Sequence, residues 1–382
     1  MESIIQHVAL PNNDTGTWGE YDNIDFVLEY DNRSLITNSI RFECDLQVYS
    51  DAGTTRVLAA QDIHLDPKTG GHALIQSINT SLSSVGNIEN LADYNRLVKM
   101  RAEAIHTNDD MMNASKVCEL RAPDKSIQTL QCCEKCPKIL GGGGDGKNSQ
   151  AVNNAVSDPD MSLKLEFCLN NVKEGSATRI PYSKSGAVRI GIILERNLGV
   201  LVGRDAIATS QYNITNPRIR FMTGPDQAGV PVILQTAMSI KQSLDTAFNN
   251  LSCNVPAVSD AVSISFLKSS DEFSVNMNNL RLDQPPAVSQ VAYMFNDAQN
   301  KLVTYQIKHQ VEMLSYALES LKSKGSNSLG LTRLSANNGY LLGLNWGSAV
   351  SLANQKFNIQ LSTGITADSY IMFSFFHSEV QV

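Results

Sequence analysis

Charge is sparse in this chain: 18% of its 382 residues are Asp, Glu, Lys or Arg, below the quarter or so usual for a globular protein. Ser, Thr and Asn fill the deficit, a polar composition that suits strands and turns better than long solvated helices. Basic residues are the smaller party, 31 against 38 acidic, for a net charge of −7. Neutralising phosphates along a nucleic acid needs the opposite balance, so direct sequence-specific nucleic-acid binding is not expected. Long apolar runs are missing too. The most apolar stretch, 190–203, is interrupted by Glu195, Arg196 and Asn197, far short of the roughly 18 residues a membrane span needs. The first residues, Met1-Glu2-Ser3-Ile4-Ile5-Gln6-His7, have neither a basic start nor an apolar core, so they do not read as a secretory signal. The Asn-x-Ser/Thr triplets at Asn13, Asn32, Asn79, Asn113, Asn213 and Asn250 are then chance matches in an Asn- and Ser-rich chain. Cysteine is scarce and odd in number, seven in all, which fits free thiols in a reducing compartment and not a disulfide framework.

What is present is period two. Ile40, Phe42, Cys44, Leu46 and Val48 alternate with Arg41, Glu43, Asp45 and Gln47, and Met161, Leu163, Leu165 and Phe167 alternate with Ser162, Lys164 and Glu166. That is the pattern of antiparallel strands with one face on a core. Similar segments recur to the end of the chain, and the strongest eight candidates are 39–49, 72–82, 161–170, 187–195, 218–223, 340–344, 357–362 and 370–377. Eight antiparallel strands in two packed sheets is the count of a jelly roll. Three helices are expected. One follows an N-cap at Asn87, with Ile88, Leu91, Tyr94, Leu97 and Val98 as its apolar stripe. A second runs through Ile307, Val311, Leu314, Leu318 and Leu321 to a stop at Gly325, and a weaker third spans 235–248.

Motifs with chemistry are incomplete. Gly141 to Gly146 followed by Lys147 fits the phosphate-cradling G-x-x-x-x-G-K, but Asn148 stands where a Ser or Thr hydroxyl must hold Mg²⁺, and neither a buried strand before it nor a helix after it is indicated. Cys133 and Cys136 make one C-x-x-C with Cys132 beside it, half of the four ligands that tetrahedral zinc requires. The six histidines, His7, His64, His72, His106, His309 and His377, are scattered. No catalytic, cofactor-binding or metal-ligating residue is therefore assigned, no cofactor is expected, and the chain reads as a non-enzyme. Residues 130–160 form a Gly-, Asn- and Ser-rich connection.

An ordered series of short motifs carries a resemblance. It runs from Thr69-Gly70-Gly71-His72 and Gly86-Asn87-Ile88-Glu89 with Tyr94, through Ile180-Pro181-Tyr182-Ser183-Lys184-Ser185-Gly186, Asn254-Val255-Pro256 and Met294-Phe295-Asn296-Asp297, to Tyr340–Gly343 and Lys356-Phe357. In this order and spacing it resembles the penton, or minor capsid, protein of virophages and polinton-like viruses, most closely the Sputnik type. The resemblance implies a structural protein of the virion: a homopentamer at the five-fold vertex of an icosahedral capsid, partnered by double-jelly-roll major capsid trimers and assembled in host cytoplasm. It implies no catalytic residues. The architecture expected is mainly β, a single jelly-roll sandwich of eight antiparallel strands with a smaller inserted α+β domain. Strands B to F would lie in 20–227, the insertion in 228–335 and strands G to I in 336–382, with an insertion within 188–335 as the rival division. The competing function is a monomeric jelly roll for host recognition or glycan binding.

Overall fold

The computed structural model describes residues 3–13, 15–57, 61, 63–105, 118–121, 127–128, 138–139, 160–203, 205–226, 231–255, 258–274, 277–296, 301–321, 339–352, 355–366 and 369–382. Strands in the first part of the chain are β1 (Ile5–Ala9), β2 (Asn23–Leu28), β3 (Arg33–Ile36), β4 (Arg41–Tyr49), β5 (Ile75–Leu82), β6 (Gly86–Leu91), β7 (Ile127–Gln128), β8 (Lys138–Ile139), β9 (Asp160–Lys164), β10 (Arg179–Pro181), β11 (Val188–Leu194) and β12 (Gln211–Pro225). The remainder are β13 (Ile233–Leu244), β14 (Phe248–Asn254), β15 (Val258–Lys268), β16 (Gln290–Asn296), β17 (Leu302–Ile307), β18 (Leu342–Ser351), β19 (Lys356–Ser362) and β20 (Tyr370–Gln381). Two helices of three turns stand among them, α1 (Tyr94–Ile105) and α2 (Gln310–Leu321).

The strands assort by position in the chain. Sheet one has the order β10-β3-β12-β4-β9, with β1 on the other side of β12, and sheet two the order β2-β11-β5-β6. Sheet three is β13-β20-β15-β18 and sheet four β14-β19-β16-β17. Every ladder in the four sheets is antiparallel. Sheets one and two face each other: Phe26 of β2 meets Phe42 of β4 edge-on at 6.2 Å between ring centres. Sheets three and four do the same, with Phe357 of β19 edge-on to Phe376 of β20 at 5.0 Å and Phe295 of β16 against Trp346 of β18 at 4.9 Å. Alternation explains the cores. In β4 the even residues Phe42, Cys44, Leu46 and Val48 are all buried, because successive side chains of a strand point to opposite faces.

Of the eight expected strands, those at 39–49, 187–195, 218–223, 357–362 and 370–377 coincide with β4, β11, part of β12, β19 and β20. The segment 161–170 is strand only to Lys164; Cys168–Asn170 is a 3-10 turn. Its apolar alternation outlasts the ladder because side chains replace a neighbouring strand. The Glu166 N–H donates to the Tyr94 hydroxyl at 3.0 Å and the Cys168 N–H to the Glu89 carboxylate at 2.9 Å. Likewise 72–82 becomes strand only at Ile75, after a 3-10 turn over Gly70–Leu74.

The helices need larger corrections. Ile88 and Leu91 lie in β6, not in a helix; α1 starts later, after Asp93 at φ +50°, whose carbonyl accepts from the Arg96 and Leu97 N–H groups. A three-residue spacing belongs to a helix and not to a regular strand; β6 accommodates it with a bulge at Ile88, its register passing from Glu89↔Thr80 to Asn87↔Ser81. The third expected helix, 235–248, is for the most part strand β13, paired residue for residue with β20 from Ile233↔Gln381 to Leu244↔Tyr370. A twelve-residue ladder outweighs weak helical spacing. The second is right in kind, although Ile307 ends β17 and α2 begins at Gln310; Gly325 lies outside the described residues.

Pairing departs most from expectation at the end of the chain. The segments 340–344, 357–362 and 370–377, expected to complete a sandwich with strands B to F, pair instead with β13 to β16. Their partners come from the range expected to be the inserted domain. Periodicity reports which side of a strand is buried and carries no information about which strand lies beside it.

Candidate functional site: a buried polar seam

Helix α1 has few apolar residues for its position. Its sequence, Tyr-Asn-Arg-Leu-Val-Lys-Met-Arg-Ala-Glu-Ala-Ile, reads as one apolar stripe and one solvated face. Yet every residue from Tyr94 to Ala104 is buried. The helix packs on β5, the Gly70–Leu74 turn and α2, and Arg96 meets the second half of the chain. Arg96 donates to the Arg281 carbonyl at 3.1 Å and to the Asn279 carbonyl, and its guanidinium lies 4.1 Å over the Phe373 ring of β20. Burial lowers the Arg96 guanidinium to about 10, with the nearby acids Asp93 and Asp283 opposing that fall.

One turn on, Lys99 bridges Asp66 at 2.8 Å and Glu103 at 3.1 Å, and Lys68 reaches Glu103 at 2.6 Å. Asn278 donates to the same Asp66 carboxylate. Burial by itself would push the Asp66 carboxyl up; Lys99 and the Asn278 and Thr69 hydrogen bonds hold it down at about 2. The same two acids keep Lys99 above its ordinary value despite burial. Asp66 and Lys99 are therefore charged partners, and the segment 278–283 is tied through them to the first half of the chain.

A second knot sits at the other end. Arg121 contacts Glu119 at 3.0 Å and Glu166 at 2.8 Å, and Arg101 approaches Glu166 at 3.6 Å. His72 bonds the Tyr94 hydroxyl at 2.8 Å and lies 3.5 Å from Glu119. Burial and then Arg121 lower the His72 ring below its ordinary value, so this last contact is to a neutral imidazole and is not an ion pair. Glu89 of β6 closes the seam, accepting from the Cys168 N–H at 2.9 Å and from the Ala237 N–H of β13 at 3.1 Å. Burial pushes its carboxyl up to about 7.

This arrangement fixes the orientation of two sheet pairs. These ion pairs lie within the first half of the chain; the halves are tied where Asn278 donates to Asp66, Arg96 to the Asn279 and Arg281 carbonyls and the Ala237 N–H to Glu89, because a buried charged group left without such partners is heavily penalised. Lining the same junction is a cleft of about 80 Å³ bounded by Asn95, Arg96, Lys241, Glu272, Asn279 and Phe373, in which Arg96 already donates to two carbonyls. Among the described residues no group of three or more His, Cys, Asp or Glu could hold a metal, and no helix is long and apolar enough to cross a membrane. Cys132, Cys133, Cys136, the glycines Gly141 to Gly146, Lys147 and Asn148 all lie outside the described residues. His64 bonds the Leu65 carbonyl at 2.9 Å and His377 the Ser263 hydroxyl at 2.8 Å, each buried and far from the other. Nothing in periodicity marked Arg96, Lys99, Arg101 and Glu103 as interior. Charge on one side of a helical stripe ordinarily means solvent.

No family model matches the chain, and no curated protein matches it. Solved structures do. A Sputnik virophage chain aligns with 99% of this chain over 86% of its own length at TM-score 0.60 and 9% identity. The Faustovirus major capsid protein covers 100% of this chain with 90% of its own at TM-score 0.58 and 9% identity. A PBCV-1 virus capsid chain gives 100% and 94% at TM-score 0.57 and 11% identity. The fold is that of viral capsid proteins. At such identities the likeness is one of fold, mainly β with several antiparallel sheets, shared along the whole chain and not in one half of it.

Proposed function

We propose that this protein is a structural, non-enzymatic capsid subunit of a virion, and that its two sheet pairs are two jelly rolls joined in one chain. On this reading the division falls between β12 and β13, near 226–231, in place of the boundaries 20–227, 228–335 and 336–382. The observation that carries it is the pairing of β18, β19 and β20 with β13 to β16, which gives each half of the chain two sheets and an aromatic core of its own. A capsid protein with that arrangement is a candidate for the faces of a shell, a major capsid subunit associating in threes, and the end-to-end alignment with a major capsid protein supports this role. The ordered motifs from Thr69 to Phe357 favour a second reading, the minor capsid protein forming a homopentameric penton beside major capsid trimers. Both place the protein in the virion, with assembly in host cytoplasm.

The two separate cleanly in solution and in particles. Native mass spectrometry of the purified chain returns three copies for the face subunit and five for the penton. Cryo-microscopy of particles then locates it across the facets or at the vertices alone. A stable monomer that binds glycans and is absent from particles refutes both.

A further inference from the structure

Sheet one has an outer face whose charges run against the rest of the chain. Across it, Val8 of β1 stands opposite Arg220 of β12, Arg220 opposite Arg41 of β4, and Arg41 opposite Lys164 of β9. Three cations in adjacent cross-strand positions repel one another. Glu43, one register step away, relieves part of this by binding Arg218 at 2.9 Å and Arg220 at 2.8 Å. Arg179 adds a further cation, its guanidinium carbon 3.4 Å from where a Cβ on Gly224 would lie. The face thus carries five cations against Glu43, Asp45 and Asp160, the last opposite Asp45 in the ladder, in a chain of net charge −7. Along its margin the strand β1 leaves Ile4, Val8 and Leu10 exposed at 59, 52 and 70%.

The edge of the sandwich beside β1, where Asn12 and Asn13 bond the Asp25 backbone and His7 lies 3.9 Å from the Tyr30 ring, has the reverse character. Strand β2 is the edge of sheet two, and its Asp25 points outward between buried Ile24 and Phe26. Glu20 and Asp22 lead into it and Glu29 and Asp31 follow it, all exposed. The cations nearby are Arg189, next to Val27 across the ladder, and Arg196, stacked on Tyr21.

We propose that the basic outer face of sheet one is a docking surface for a second copy of this chain, which presents its acidic β2 edge. Charge complementarity selects that occupant: the sandwich that carries the base also carries the acid, on the edge that adjoins β1. Two different surfaces then meet at each contact, a heterologous association that closes into a ring or continues as an array. The exposed apolar margin of β1 supplies the desolvated part of the contact and the charges its orientation. This deepens the capsid reading by naming the faces through which copies meet.

The test uses the full chain and sedimentation velocity at 0.05 and 0.5 M salt. Wild type associates at low salt and loses at least tenfold in affinity at high salt, where charges are screened within a few ångströms. A Lys164→Glu/Arg179→Glu chain and an Asp22→Lys/Asp25→Lys chain each lose at least tenfold at low salt, and an equimolar mixture of the two recovers association. These are surface positions, and unchanged circular dichroism shows that the fold is kept; Lys164→Gln/Arg179→Gln is the milder pair if it is not. Undiminished association of either variant overturns the proposal. So does a mixture that fails to recover, or a basic face that binds a 20-nucleotide single strand while self-association is unaffected by its reversal. If the chain still occupies virion shells after such a result, the capsid reading stands and only this interface falls.

Discussion

Glu89 gives the sharpest test of the seam, because its protonation is coupled to the contact between the two halves. The carboxyl rises from an ordinary value near 4.5 to about 7 on folding, so the folded protein holds this proton more tightly than the unfolded chain. Stability from this group is therefore fully present below pH 4.5 and is lost as the pH rises toward and through 7. The shift is worth on the order of 3 kcal/mol between the two limits. Glu89→Gln fixes the neutral state but keeps an acceptor oxygen for only one of the Cys168 and Ala237 N–H groups, which bond Oε2 and Oε1 respectively. Urea unfolding of both proteins at pH 5, 6, 7 and 8 reads the difference directly. The lost acceptor sets a pH-independent offset of about 1–3 kcal/mol against the variant, and from pH 5 to pH 8 the difference should move by about 2–3 kcal/mol in the variant's favour. Other groups titrate in the same window: His377, lowered by burial to about 3, contributes stability that is lost as the pH falls below 6.5, and the raised Glu195 acts in the sense of Glu89. Both are common to the two proteins and cancel in the difference. A separation between the curves that stays constant from pH 5 to pH 8 refutes the reasoning.

Lys99→Met removes the cation between Asp66 and Glu103 and should destabilise by about 3–5 kcal/mol, read as a lower urea midpoint, with the double change Lys99→Met/Asp66→Leu recovering part of the loss. Phe42→Ala empties the centre of the first core, where the ring is 1% exposed and edge-on to Phe26, and should cost about 3–5 kcal/mol; a neutral result in thermal unfolding would place Phe42 outside that core. Gly343→Ala puts a Cβ 2.8 Å from the Val262 carbonyl and closer still to the Ser320 hydroxyl of α2. That helix must shift, and a melting temperature lowered by several degrees should accompany reduced hydrogen-exchange protection in α2 and β18.

Much of this protein is written in local pattern. The alternation of 40–48 placed Phe42 and Cys44 in a core and Arg41 and Glu43 on the other face, because a strand's side chains alternate whatever its neighbours are. The same rule located β11, β19 and β20 and set the all-antiparallel character of the sheets. It failed where a bulge in β6 gave Ile88 and Leu91 a helical spacing, and where a long ladder overrode weak helical spacing in β13. The seam lay beyond it altogether. Arg96, Lys99 and Glu103 look like a wet helix face; Asp66 and Lys68 partner Lys99 and Glu103, and Asn279, Arg281 and Phe373 supply Arg96 with what water otherwise would. Strand partnership was equally hidden. Hydrogen bonds between strands join backbones, which are the same at every residue, so β20 gives no sign in its own sequence that it lies between β13 and β15. Local alternation was enough to give the strands β4, β11, β19 and β20 and the apolar side of each. Which strands share a sheet, and that charge at the junction is buried, was decided by tertiary structure alone, because both depend on segments more than a hundred residues apart arriving at one place.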